Sequence, residues 1–263
     1  MKHLSFIVAL LFTSPSLAAT APVADSNAPV EISAKHSLEW NRKDKTYTAR
    51  EDAIAKQGNF QISSSTLTAH YTEDKSSTDI SRLVASGNVI ILSPPYTVYG
   101  DNADYSVPDN SAVLTGRNLR IETPGEKLTA KEKIEFFGRE NRLTAIGDAV
   151  AVRGSDTLKA DSMTAFFQKA TDNKLTLQKI TADGNVSIKT PKETVTGSKG
   201  VYDVTSGKAV LTGRIRILQG PNWLEGTRAV VDLKTGISQL FAEGNAATEG
   251  RVKGMFFPKK KPQ

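Results

Sequence analysis

The sequence predicts an all-β protein, an elongated antiparallel twisted β-jelly-roll built as a folded-over stack of about fourteen or more strands. Three observations predict it. A glycine recurs at Gly58, Gly87, Gly116, Gly147, Gly184, Gly213 and Gly244, in steps of 29, 29, 31, 37, 29 and 31 residues. The text around these glycines repeats as IAKQGNFQI, LVASGNVII, LTGRNLRI, LTAIGDAVAV, ITADGNVSI, LTGRIRI and LFAEGNAAT. Apolar and polar residues alternate through each copy. A fixed period of this length marks one supersecondary unit stacked many times, each copy burying its neighbour's apolar face.

The first residues, MKHLSFIVALLFTSPSLAA, place a lysine before an apolar run from Leu4 to Phe12, with small residues following. That is the pattern of a secretory signal peptide over residues 1–18, with cleavage as late as 21, and the run is too short to span a bilayer. It predicts export across the inner membrane. Residues 19–36, rich in Ala, Pro and Ser, read as a linker. The repeats then define one domain over 37–250, and 251–263 reads as a frayed basic tail.

Within each repeat the first segment is a half-buried strand. Leu83, Ala85, Gly87, Val89 and Ile91 alternate with polar residues, and Ile180, Ala182, Gly184, Val186 and Ile188 do the same. The companion segment reads VYGDNADY, LKADSMTA, VTGSKGVY or LEGTRAVV. In it two polar residues interrupt the small/apolar alternation. LTAKEKIEFF fits less well, because Lys133 and Glu135 fall where an apolar pair is expected. Turn residues such as Pro108-Asp109-Asn110, Gly154-Ser155 and Gly220-Pro221 separate the segments, and turns this short join antiparallel neighbours. The repeated glycine is expected mid-strand, where it marks a bulge or bend. If both segments bend there, each strand serves two facing half-sheets, stacked over about 65–70 Å for about fourteen strands.

The inner face of such a trough is apolar and rich in small residues. Space left between its walls would suit acyl chains, each methylene worth about 0.8 kcal/mol on burial. The same pattern also serves a dry core in which the two walls meet. The candidate groove residues are Val89, Ile91, Val98, Tyr105, Leu119, Ile121, Leu158, Val186, Ile188, Tyr202, Ile215 and Ile217.

Other chemistries find little in the chain. It has no cysteine for disulfides, thiolate metal sites or nucleophiles. Of three histidines, His3 lies in the signal segment, and His36 and His70 read as solvated. Asp101, Asp104, Asp161 and Asp203 recur at similar places in the repeat, which spreads them along an outer ridge instead of converging two carboxylates on one cleft. No phosphate loop, HExxH or GxSxG motif is present, so the reading is a non-enzymatic protein without a cofactor or metal. The net charge of +6 is modest, and the basic residues are dispersed without an aromatic stacking platform, against nucleic-acid binding. Trp40 and Trp223 read as packing residues at strand starts.

The phrases LEWNRKDKTYTAREDAIAKQGNFQI, LVASGNVIIL, VYGDNADYSV and AVLTGRNLRI, in register with the signal segment, resemble the OstA-like family over roughly residues 38–250. The resemblance implies a twisted β-jelly-roll that holds lipopolysaccharide acyl chains in an apolar groove in the periplasm. It also implies head-to-tail strand pairing with sibling domains, joining the inner-membrane transporter's component C to the outer-membrane translocon, component D. Unpaired end strands make a homo-oligomer an expectation as well. The alternative is a cell-envelope β-filament that binds no lipid. It would share the stack and the sticky ends but have a filled core.

Overall fold

The computed structural model describes residues 28–73, 78–169, 175–232, 234–235, 237–242 and 250–258. Signal segment and seventh glycine, Gly244, lie outside them. The described residues form an antiparallel sheet of eighteen strands and contain no helix, so the all-β prediction holds. The strands are β1 Glu31–Ser33, β2 Ser37–Asn41, β3 Thr46–Gln57, β4 Phe60–Glu73, β5 Thr78–Ser93, β6 Tyr96–Ser106, β7 Ser111–Thr115, β8 Leu119–Thr123 and β9 Glu126–Ala130. They continue as β10 Lys133–Phe137, β11 Arg142–Arg153, β12 Asp156–Lys169, β13 Leu175–Lys189, β14 Thr194–Asp203, β15 Lys208–Gln219, β16 Asn222–Asp232, β17 Ile237–Phe241 and β18 Lys253–Met255.

The chain divides into two compact units. Among the described residues, the first takes those from 28 to 149 and from 164 to 177; the second takes those from 150 to 163 and from 178 to 258. Two short strands lie in segments that the sequence suggested were a linker and a tail: β1 pairs with β3 at Glu31–Ser33, and β18 pairs with β16 at Lys253–Met255. Backbone pairing holds them, and pairing leaves no periodic side-chain signature in three residues.

In the first unit, β3, β4, β5 and β6 run in succession, and each pair slips register near mid-length. Arg50↔Thr66 is followed by Ala53↔Ser64, and Ser86↔Asn102 by Val89↔Gly100. Two residues on one strand therefore oppose one on its neighbour, which is a β-bulge that bends the strand. At the bends φ is +63° and +47° for Glu51 and Asp52, +81° and +51° for Gly87 and Asn88, and +88° and +44° for Gly147 and Asp148. Glycine enters this region freely and Asn or Asp at low cost, which explains the recurrent Gly-Asn or Gly-Asp pair. At Gly116, φ +137°, the bend interrupts the strand altogether, so β7 and β8 cover the two halves of β6 separately. The short strands β1 and β2 divide β3 in the same way.

Gly58 is a correction to the mid-strand expectation. It lies in the tight turn between β3 and β4, with φ +58°, and the first bend is made by Glu51–Asp52 instead. LTAKEKIEFF is a second correction. One extra residue at the corner between β9 and β10 resets the phase, so Ile134 and Phe136 are the buried pair. Lys133 and Glu135 point outward and pair at 2.6 Å. Shortening Ile134, 1 % exposed, to Val is expected to lower stability by about 1 kcal/mol in chemical denaturation.

The bends fold the first unit's sheet back on itself. Register places Tyr105 opposite Leu83 and Leu83 opposite Ala69, nine residues along β4 from Phe60. A flat sheet would hold Phe60 and Tyr105 about 30 Å apart. Their ring centroids lie 5.6 Å apart. The two ends of the bent strands therefore meet, and the sheet makes two facing walls.

In the second unit the same bends recur. Asp183↔Lys199 is followed by Val186↔Gly197, and Thr212↔Arg228 by Ile215↔Gly226, with φ +76° and +47° at Gly184 and Asn185 and +102° at Gly213. A Cβ placed on Gly200 would sit 3.7 Å from Val186 Cγ1, although register puts these residues on opposite sides of the bend.

Candidate lipid groove

Each unit carries the same two inward rows, one on either side of the bend. In the first unit one wall reads Ala55, Ile62, Ile91, Val98, Ile121 and Leu128 across successive strands. The other reads Ala49, Leu67, Ala85, Ala103, Leu114 and Ile134. In the second unit the walls read Ile188, Val195, Ile217 and Leu224, against Ala182, Gly200, Leu211 and Ala229. One wall is thus mostly branched aliphatic, and the other mixes small and large residues. Period-two alternation sets the inward face, and antiparallel pairing aligns the like residues into rows.

The structure places the candidate residues on these rows. Ile91, Val98 and Ile121 share one; Val89 and Leu119 stand a step nearer the bend; Tyr105 lies on the facing wall. Ile188 and Ile217 share the corresponding row of the second unit, with Val186 and Ile215 nearer the bend and Tyr202 on the facing wall. Leu158 is buried on β12. Eleven of the twelve are buried, and Ile188 is half-buried. Burial pushes the phenol pKa of both Tyr105 and Tyr202 upward, as expected of rings turned inward. Sequence reading left out Ile62, Val195 and Phe60, all buried. Cross-strand registration with Ile91 and Ile217 would have found the first two, because each continues a row. Nothing local marks Phe60.

Small residues at the bends do not leave the gap that composition suggested. A Cβ on Gly100 would meet Leu119 Cδ2 at 3.2 Å and Leu114 Cδ2 at 3.6 Å. At Gly197 it would meet Ile215 Cδ1 at 2.9 Å and Leu211 Cδ2 at 3.7 Å. Large side chains from both walls of the next strand therefore fill the corner. With inward residues this well covered, acyl chains could enter only by replacing wall-to-wall contacts.

The recurrent aspartates hold the outside of the bends and turns. Asp101 accepts a hydrogen bond from the Arg117 N–H at 2.9 Å, and Asp161 accepts from Asn185 Nδ2 at 3.0 Å. Asp104 forms a two-point pair with Arg82, whose hydrogen bonds hold its carboxyl below the usual range. Asp203 is lowered by the backbone hydrogen bond from Ser206 in the β14–β15 turn. Each carboxylate thus has a structural partner, which accounts for its recurrence.

Glu193, near the tip of the β13–β14 hairpin, is a different acid. It is 6 % exposed, its Oε1 has no hydrogen-bond partner, and burial raises its pKa. A carboxyl raised in the folded state leaves stability intact below its unfolded pKa and subtracts from it as pH rises through the folded value. Glu193→Gln is therefore expected to raise stability by about 1 kcal/mol at neutral pH. In thermal melts that gain should fade on acidification; an equal gain at every pH would show that charge burial is not its source.

The model of the family described as "LptA/(LptD N-terminal domain) LPS transport protein" matches this chain twice, over residues 31–142 and 133–237. The chain belongs to this family. Its two matches reflect the internal repetition of an LPS transport domain. An uncharacterised protein of Rhizobium meliloti (strain 1021) is 27 % identical over 139 residues, covering 51 % of this chain and 74 % of that protein. Among solved structures, LptH of Pseudomonas aeruginosa, described as the LptA-homologous periplasmic component of the lipopolysaccharide transport device, aligns over 90 % of this chain and all of its own. Identity there is 13 % and the TM-score 0.23, too loose an overlay to inform the details of the family fold.

Proposed function

We propose that this protein is a periplasmic carrier of lipopolysaccharide that shelters acyl chains between its two walls. It has no catalytic task in this reading, and it bridges the inner-membrane transporter to the outer-membrane translocon by head-to-tail strand pairing. The observation that carries the reading is the paired inward rows, present in both units of a chain from the LPS transport family. In each unit they offer hydrocarbon that displaces wall-to-wall contacts a mostly Ile, Val and Leu lining on one side and a mixture of small and large apolar residues on the other. Each acyl methylene moved from water onto such a surface gains about 0.8 kcal/mol.

The short strands that begin and end the pairing support assembly. Leu38 and Trp40 on β2 are 53 % and 50 % exposed, and Ile237 on β17 is 60 % exposed. Apolar side chains beside strand edges favour addition of a further sheet. Partners of this kind are components C and D, or a second copy of the chain.

A β-filament without lipid is the second reading, favoured by the large side chains of facing walls that fill the corners at Gly100 and Gly197. Mass spectrometry of the protein purified from the periplasm separates the two. Co-purifying lipopolysaccharide, removed by mutation of the inward rows, is the expected result; lipid-free protein that still forms filaments would support the filament.

A further inference from the structure

An inward row of the first unit ends in a half-exposed aromatic ring. Trp40 stands opposite Tyr47, Tyr47 opposite Ala69, and Ala69 opposite Leu83, so Trp40 shares the face of a buried wall. Among the described pairings β2 meets only β3, and Trp40 is left 50 % exposed. Its orientation is nonetheless fixed. The indole Nε1–H donates to the hydroxyl of buried Tyr71 at 2.8 Å. The Tyr47 ring stacks on the indole with centroids 5.8 Å apart, and Tyr71 lies 5.0 Å from Tyr47. The indole is thus a rigid platform whose polar tip is already satisfied.

Arg42, two residues on in the β2–β3 turn, lays its guanidinium 4.2 Å from the Trp40 ring centroid. Arg120, Arg142 and Arg216 also stack on rings, and each pairs with a carboxylate, at 3.0, 2.8 and 3.5 Å. Among the described residues Arg42 has no such partner. Asp44, the acid of the same turn, is engaged by Asn41 Nδ2 at 2.8 Å. The inward rows of this unit carry no carboxylate, so an anion for Arg42 would come from another molecule. Stacking uses the face of a guanidinium and leaves its edge of N–H donors for an oxyanion. Lys43, exposed beside it, adds positive charge at the same turn.

We infer that Arg42 and Trp40 form a headgroup site at the β2 end of the first unit. The guanidinium edge takes a phosphate of the lipid cargo, and the indole covers the apolar part of the molecule next to it. Acyl chains then follow the inward row from Trp40 past Tyr47 and Ala69. This inference rests on the carrier reading and adds where the phosphorylated head sits. Strand addition at β2 would use its backbone edge and leave the row facing inward. An arginine that only shields Trp40 from water makes the same contact, but its loss would not change how phosphorylated and unphosphorylated lipids are told apart.

The chain has two tryptophans, so Trp223→Phe leaves Trp40 as the reporter. That protein would be given lipid A carrying both phosphates, or the same lipid A with both removed, in non-ionic detergent. Bound lipid would be counted by co-elution and Trp40 emission recorded alongside. The phosphorylated form should bind about tenfold more tightly and change the emission. Arg42→Gln should lose that preference while binding the dephosphorylated form as before, and Arg42→Lys, which keeps charge without the planar fork, should retain part of it. A preference that survives Arg42→Gln, or none in the starting protein, would overturn the assignment and leave the carrier reading standing. So would phosphorylated lipid that co-elutes without changing Trp40 emission. Failure of either lipid to bind at all would overturn both readings. Inorganic phosphate at the same concentrations should leave the emission unchanged; an equal response would make this a site for the free anion and overturn the headgroup assignment.

Discussion

Ile188→Asp is expected to abolish lipopolysaccharide binding while leaving the protein folded and exported. Ile188 shares its inward row with Val195 and Ile217. It is half-buried, unlike Val186 and Ile215, which are 1 % and 0 % exposed. In the free protein a carboxylate at this position can reach water, so the folding cost is small. With an acyl chain laid along the row, the same carboxylate loses its water and gains no partner, a penalty of several kcal/mol. Affinity for fluorescent lipopolysaccharide should fall at least a hundredfold, about 2.7 kcal/mol or more. The melting temperature should shift by only a few degrees, and Ile188→Val should bind almost as the parent does. Undiminished affinity in the Asp variant would remove this row from the lipid path and with it the proposed groove.

The largest stability loss is expected from Gly147→Val. This bend residue has φ +88°, and a Cβ there would lie 2.6 Å from Glu132 Cγ and 2.8 Å from the Glu132 backbone nitrogen. The side chain of Glu132 can swing away, but its backbone is held by a hydrogen bond from Glu132 N–H to the Ile146 carbonyl at 3.0 Å. Left-handed strain for a β-branched residue and the forced separation of two strands together cost about 3–5 kcal/mol. Gly154→Ala is the control. Its φ of +56° is also left-handed, but nothing lies within 4 Å of the added methyl, so a loss of about 1 kcal/mol is expected. Urea denaturation of the two variants separates backbone strain from close packing. Equal losses would show that packing against Glu132 does not matter at the bend.

Much of the inward face was legible because inward and outward residues alternate along each strand. Once Val89 and Ile91 or Ile215 and Ile217 are recognised as a pair, their face follows, and the structure places them on it. The fold class follows from the same alternation together with the short turns. The errors came where a bend changes the phase. At Lys131–Glu132 one added residue moves burial onto Ile134 and Phe136, and a period of two carries no warning of it. At Gly58 a turn glycine falls near the repeat spacing, while Glu51 and Asp52 make the bend without any glycine. The long step before Gly184 falls where β12 and β13 extend to 14 and 15 residues, lengthening a hairpin and leaving the bend itself unchanged.

By itself the sequence determined that the chain is a stack of bent antiparallel strands, and which side chains face inward, because both are consequences of local alternation and of residues that tolerate positive φ. Tertiary structure alone decided how far the walls approach. Phe60 and Tyr105 meet although their register separates them by about 30 Å in a flat sheet, and Leu114 and Leu119 close over Gly100 from opposite sides of a bend. Such contacts depend on the summed angle of successive bulges and on the volume of side chains from neighbouring strands. Neither quantity is written in any single segment.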